Sequence, residues 1–324
     1  MARVVLGLAC SRSPLLSMPP GLWSLMGERD QRSSRLRDKT GKLVSYQELL
    51  AQVDPSMASE LTAEAWQKKY DASQRALATL ADKLADVDPE LVVAMGDDEE
   101  EYIHEDNRPA ILIYRGQTFR NVPRSISAAT DPVTRASAWA WGEEEADYPV
   151  ASDLCRHVVE YLTEKEFDVS DSTKLEAMAH GFGFTYRRIM TRRVVPIVPV
   201  IVNVHTPPNQ PTPRRCYLLG RAIREALESW DGDARVAVIG TGGLSVGVLD
   251  EELDRRALAA MQARDVASLS TLPRPWMQGP TGEILNWIGT AGVAEHLRME
   301  VLEYIPAYRS PAGTGSGLGF AMWT

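Results

Sequence analysis

The chain has 324 residues, enough for one large α/β domain or two modest ones, and 44% of them are hydrophobic, an ordinary share for a globular core. Acidic residues exceed basic ones, 44 against 35, and the basic pairs Arg187-Arg188, Arg192-Arg193 and Arg214-Arg215 are short and scattered. That excludes nucleic acid as the main partner, since phosphate contacts need clustered cations. Cys10, Cys155 and Cys216 lie far apart without a C-x-x-C, which excludes a disulfide scaffold or a zinc finger and fits a reducing compartment.

No apolar run reaches the roughly 18 residues of a membrane span. The N-terminus also lacks a basic-then-apolar signal layout, because Arg12 interrupts the first apolar stretch. A cytoplasmic protein with no membrane partner is expected.

In chain order, residues 2–9 (ARVVLGLA) read as a buried strand: short, rich in Val and Leu, and closed by polar residues. Residues 17–45 are polar and irregular and predict an excursion over the surface. Residues 61–85 predict a helix, because Trp66, Tyr70, Ser73, Leu77, Leu80 and Leu84 recur at spacings of four and three, with Thr62 as cap and "DVDP" as stop. Strands are predicted at 91–95 and 110–114. The Ser-, Thr-, Pro- and Trp-containing stretch 115–148 predicts a lid or wall. A helix follows at 150–167. The apolar run 194–204 carries two prolines, which predicts an irregular or edge-like strand. Helices at 213–230, 250–264 and 283–294 and strands at 235–239 and 299–305 complete the pattern. Alternating strands and helices define an α/β fold with a layered, largely parallel central sheet flanked by helices. No linker divides the chain, so a single domain over 1–324 is expected.

Polar residues collect just after the predicted strands: Arg12, Asp97-Asp98, His205, and "GTGGLS" at 240–245. In open α/β sheets, ligands bind at the carboxyl ends of strands. "GTGGLS" is not a phosphate loop, because no Lys-Ser/Thr pair follows it and Ser245 stands where a dinucleotide loop needs glycine. In "AMAHGFGFTYRRIM", His180 sits between small neighbours with Phe182, Phe184 and Tyr186 after it. That arrangement leaves room for a planar ligand, and a core histidine with one hydrogen bond is the alternative. His205, leading into a Pro-rich turn, is a further candidate, with capping or packing as its alternative. Asp250, Glu251, Glu252 and Asp254 crowd a helix start, which the helix dipole favours on its own.

Taken together, "LGLACSRSPLL", "LVVAMGDDEEEYIHEDNRPAILIY", "AHGFGFTYRRIM", the block 196–245, "DEELDRR", "GEILNWIGTAG" and "YRSPAGTGSGLGFA" resemble the class III extradiol ring-cleavage dioxygenases, the family of the protocatechuate 4,5-dioxygenase catalytic subunit. The resemblance implies that fold, and an oxidoreductase cleaving a catechol, aminophenol or related aromatic with O2. It implies Fe(II) held by two histidines and a glutamate, with a further histidine as acid/base. By position, His180 matches the acid/base and Glu252 the carboxylate ligand. The two histidine ligands fall on Arg12 and Asp98, and a histidine of some relatives falls on Val246.

Guanidinium cannot coordinate a metal. Iron is therefore expected to be weakened or lost, or no cofactor used, unless Asp97, Asp98, His104 and Glu252 rebuild an oxygen-rich site. In the alternative, Arg12 replaces the metal, neutralising Glu252 and Asp98 and binding an acidic substrate, in a metal-free enzyme or a non-catalytic subunit. Phe182 and Tyr186 are expected to line the substrate pocket, with His180, His205 and Arg12 as catalytic residues. A homo-oligomer, or pairing with a paralogous subunit, is expected from the resemblance.

Overall fold

The computed structural model describes residues 1–127 and 129–324. Its strands are β1 (Arg3–Cys10), β2 (Leu91–Gly96), β3 (Ile111–Tyr114), β4 (Thr118–Asn121), β5 (Ala146–Pro149), β6 (Ser170–Ser172), β7 (Ile197–Val202), β8 (Arg235–Thr241), β9 (Val246–Val248), β10 (Met299–Tyr308) and β11 (Thr314–Trp323). The apolar segments β1, β2, β7 and β8 are buried over nearly their whole length, as strands covered on both faces must be. They form the parallel centre of one sheet, in the order β10-β11-β1-β8-β2-β7-β3-β6, with β9 paired to β11. Antiparallel pairing of β3 with β7, and of β11 with β1 and β10, extends the sheet on both sides.

The helix Ala63–Val87 buries Ser73, Ala76, Leu77, Leu80 and Leu84, the face its spacing predicts, and Thr62 caps it at Ala65 N (3.1 Å). It ends at Asp88, which adopts a left-handed conformation (φ 46°).

Three expectations are corrected. The run 194–204 is not edge-like: β7 is an interior strand between β2 and β3. Pro199 is tolerated there because the β3 ladder begins only at Val200, so the proline lies outside it. Residues 17–45 are not a mere surface excursion. They contain the helix Trp23–Gln31, and Met18 and Trp23 are fully buried. The C-terminal strand is a long hairpin, of which the sequence showed only the first arm. No element was expected in the glycine-rich "TGSGLGFAMW", yet β11 is an interior strand that neighbouring groups approach closely. A Cβ at Gly317 would lie 2.1 Å from Asp254 Oδ2. Of the stretch 115–148, residue 128 lies outside the described residues; Thr118–Asn121 and Ala146–Pro149 form the ribbon β4/β5, and Ser137, Ala140 and Trp141 wall the cavity described below.

Candidate functional site

Each central parallel strand delivers polar residues to one end of the sheet. Beyond β1, Ser11 is pinned to β11 by its N–H on Gly319 O (2.9 Å) and its hydroxyl on Gly317 O (3.1 Å), which turns Arg12 inward. Beyond β2 come Asp97 and Glu99, and beyond β7 comes His205. Glu283 closes the turn Pro280–Glu283 before the apolar helix Ile284–Val293. It accepts from Gly243 N after β8.

These residues converge on one atom. Arg12 Nη2 lies 2.7 Å from Glu99 Oε1, 2.7 Å from Glu283 Oε1 and 3.0 Å from Asp97 Oδ2. His205 Nε2 stands 3.2 Å from Asp97 Oδ2 and 3.5 Å from Glu283 Oε1. Asn286 Nδ2 donates to Asp97 Oδ1 (2.8 Å) and to Thr241 O (3.0 Å). The Arg12, Asp97 and Glu283 side chains are buried, and Glu99 is partly exposed at 33%.

The electrostatics follow from this convergence. Burial would raise Asp97 and Glu99, but the Arg12 guanidinium, with the two histidines, holds both below the usual carboxylate range. Burial likewise disfavours charge on His205, yet its hydrogen bonds to Asp97 and Glu283 outweigh that and raise it to about 10. Arg12 is driven still further above its ordinary value by the same carboxylates.

His180 faces Arg12 from the opposite wall. Its Nδ1 is hydrogen-bonded to Glu101 Oε1, and its own N–H donates to Glu101 Oε2 (3.0 Å), as does Trp141 Nε1 (3.1 Å). Trp141 also stacks on the imidazole, with centroids 4.6 Å apart. Arg12 Nη1 lies 3.0 Å from His180 Nε2. A guanidinium only donates, so Nε2 is the acceptor and the proton sits on Nδ1, held by Glu101. Gly181 permits this approach: a Cβ there would lie 2.6 Å from Nη1. A cavity of about 550 Å³ opens beside the group, walled by Arg12, Trp141, His180, Phe184, Glu283 and Arg309. That volume suits a small organic ligand.

Of the residues singled out from sequence, Arg12, His180 and His205 come together. The others are placed elsewhere. Glu252 is exposed in the first turn of the helix Glu251–Ala263. Asp98 is buried, but its carboxylate turns back to accept from Tyr102 N (3.1 Å) and Ile103 N (2.8 Å), and burial raises it above the usual range. His104 is exposed. Phe182 packs edge-on against Phe119, and Tyr186 stacks on Tyr148. Both belong to the core, and Phe184 of the same segment lines the cavity instead. Arg12 therefore pairs with Asp97, Glu99 and Glu283 rather than with Glu252 or Asp98.

Sequence reasoning missed Glu99, Glu101, Glu283 and Trp141. Glu283 had a signal in "GEILNWIG", a carboxylate opening an otherwise apolar helix.

Asp97, Glu99, His205 and Glu283 each offer a ligand atom, and these atoms lie within 4.8 Å of one another. Opposite oxygens around an octahedral divalent ion are about 4.2 Å apart. The guanidinium nitrogen held among the three carboxylates stands in for a cation. One imidazole and three carboxylates thus fit a divalent ion by size and chemistry. They differ from two histidines and a glutamate in being harder and richer in oxygen.

A doubly covered α/β sheet with a cation-centred acidic group and a histidine at its carboxyl end defines a small-molecule site of the open-sheet type. Residues 49–314 match the family described as the catalytic LigB subunit of aromatic ring-opening dioxygenase, and the chain belongs to that family. It is similar to the gallate dioxygenase of Pseudomonas putida, at 40% identity over 95 residues, which cover 28% of this chain and 27% of that protein. It is also similar to a 2,3-dihydroxyphenylpropionate/2,3-dihydroxicinnamic acid 1,2-dioxygenase of Mycolicibacterium gilvum, at 29% identity over 181 residues, 55% of this chain and 50% of that one. The chain thus spans half or less of the length of these curated relatives. Among solved structures, an uncharacterized protein from Escherichia coli K12 aligns with 12% identity and a TM-score of 0.46 over 76% of this chain and 91% of that chain. Among the described residues, no helix is long and apolar enough to cross a membrane.

Proposed function

We propose that this chain is an extradiol-type dioxygenase that opens the ring of a catechol, an aminophenol or a related acidic aromatic with O2. The observation that carries the reading is His180, oriented through Nδ1 by Glu101 with Nε2 facing the acidic group inside the cavity. Family membership supports it.

The ring lies in the cavity against Trp141 and Phe184. Once the Arg12 guanidinium moves off Nε2, His180 takes the proton of a ring hydroxyl there, and Glu101 stabilises the imidazolium that results. The Arg12 guanidinium, displaced from the carboxylates, donates to an anionic ring oxygen or carboxylate. Asp97, Glu99, Glu283 and His205 are the residues that would hold a divalent ion, Fe(II) by family. Such an ion supplies open positions at which an aromatic and O2 meet. The remaining expectations, a cytoplasmic location and assembly with a second copy or a paralogous subunit, belong to the same proposal.

One observation favours a second reading. A guanidinium held by three carboxylates suits a metal-free or non-catalytic member of the fold. The test is O2 uptake and the absorbance of ring-opened product across catechol, 2-aminophenol and gallate, after anaerobic Fe(II) loading. Turnover that requires Fe(II) and falls in His180→Gln supports the dioxygenase. Ligand binding without O2 uptake supports the second reading.

A further inference from the structure

We infer that Arg12 is a resident cation that competes with a divalent metal for the cage of Asp97, Glu99, Glu283 and His205, so that the cage holds one or the other. The inference deepens the reading of these four residues as a cation site. It does not depend on ring opening.

Three observations carry it. First, the cage is built around Nη2, which lies 2.7 to 3.0 Å from three carboxylates supplied by two different segments of the chain. An ion bound to the same oxygens would sit at about 2.1 Å from them. It would take the space of that nitrogen and meet its positive charge, so the two exclude each other. Second, the guanidinium is incompletely paired. Nη2 carries the ion pairs and Nη1 meets His180, whereas Nε is buried without a partner. A buried unpaired donor carries a free-energy penalty, so the closed position is incompletely satisfied. Third, Arg12 lines the cavity of about 550 Å³, so the side chain borders open space rather than packed core.

A metal that enters must displace the guanidinium from the cage, and the apparent affinity falls by the fraction of molecules in which the cage is free. Arg12 thereby sets the metal concentration at which the site loads.

The test is Mn2+ binding to the full chain by titration calorimetry, beside a thermal melt. A latch closed in about 99% of molecules weakens Mn2+ binding about 100-fold relative to Arg12→Gln. The Arg12→Gln melt is expected to fall without metal, because three carboxylates lose their countercharge, and to recover with Mn2+. The wild-type melt shifts little at the same Mn2+ concentration. Arg12→Lys keeps a cation in the cage and binds no more tightly than wild type.

Equal Mn2+ affinity in wild type and Arg12→Gln overturns the inference, and so does an Arg12→Gln chain that folds and binds no Mn2+. If Arg12→Gln folds in neither condition, wild type decides. Stoichiometric binding at micromolar Mn2+ overturns the inference, and binding only at millimolar Mn2+ supports it. A chain that binds Mn2+ as expected and opens no aromatic ring removes the dioxygenase reading and leaves this inference standing.

Discussion

Arg12 Nη2 and Glu283 Oε1 lie 2.7 Å apart, although 271 positions separate them in the chain. The contact joins the end of the first strand to the start of the last long helix, and Asp97 and Glu99 share the same nitrogen. Removing one partner of a buried ion group leaves charge without compensation, which costs about 3–5 kcal/mol. Arg12→Ala is therefore expected to lower the unfolding free energy by an amount in that range, measured by urea unfolding in metal-free buffer. A variant as stable as wild type would show that the carboxylates do not need the guanidinium.

His180→Gln is expected to reduce turnover on the order of 10²-fold or more, the usual contribution of a general acid/base. Its melt should change little, because the ring lies against the cavity rather than in the core. Glu101→Gln keeps the side-chain shape but weakens the hold on Nδ1. It should lower turnover by a smaller factor and alter the pH profile, as a residue acting through His180 would. Steady-state rates on whichever aromatic is turned over, with melts alongside, distinguish these outcomes from a structural role.

The pH dependence of stability tests His205. Its pKa in the folded chain, about 10, lies above the unfolded value of about 6.5. The folded state therefore binds more protons over that interval. The stability His205 contributes is fully present below about 6.5 and is lost as pH rises through about 10. Asp97 and Glu99 have the opposite sign: held below their usual values, they contribute above the ordinary carboxylate range and lose that contribution as pH falls. Urea midpoints are expected to decline on the alkaline side in wild type and more gently in His205→Gln. Parallel declines would argue against a charged His205.

Glu252 and Glu283 are expected to behave oppositely. Glu252 is exposed, so Glu252→Gln should change stability by no more than about 0.5 kcal/mol and leave Mn2+ binding unaltered. Glu283→Gln removes a buried charge that Arg12 and Gly243 both use, and should lower both the melt and Mn2+ affinity. Loss of Mn2+ binding in Glu252→Gln would return that residue to the site.

Much of the fold was legible because its signals are local. The face Ser73-Leu77-Leu80-Leu84 and the apolar strands β1, β2 and β8 follow from hydrophobic periodicity within a few residues. Arg12, His180 and His205 stood out because a polar residue breaking an apolar run, or a histidine among small residues, is visible in a short window. β11 was hidden because its glycines mimic a loop. What makes them a strand is the close packing of Asp254, Leu244 and Trp287 against them.

The sequence by itself determined the α/β alternation, the strand ends at which polar residues collect, and the presence of a cation, Arg12, at the end of the first strand. Only the tertiary structure decided which acids face that cation. In the run Asp97 to Glu101, Glu99 and Glu100 adopt left-handed backbone conformations, with φ of 51° and 64°. Extended-strand alternation ends there. Asp97 and Glu99 turn toward Arg12, Asp98 turns back to the loop, and Glu101 reaches His180. Glu283 arrives from the far end of the chain, carried by a helix whose burial fixes its position. Side-chain type and spacing are encoded locally, whereas convergence is set by how distant elements pack. A row of like charges carries no local mark of which one the packing will select.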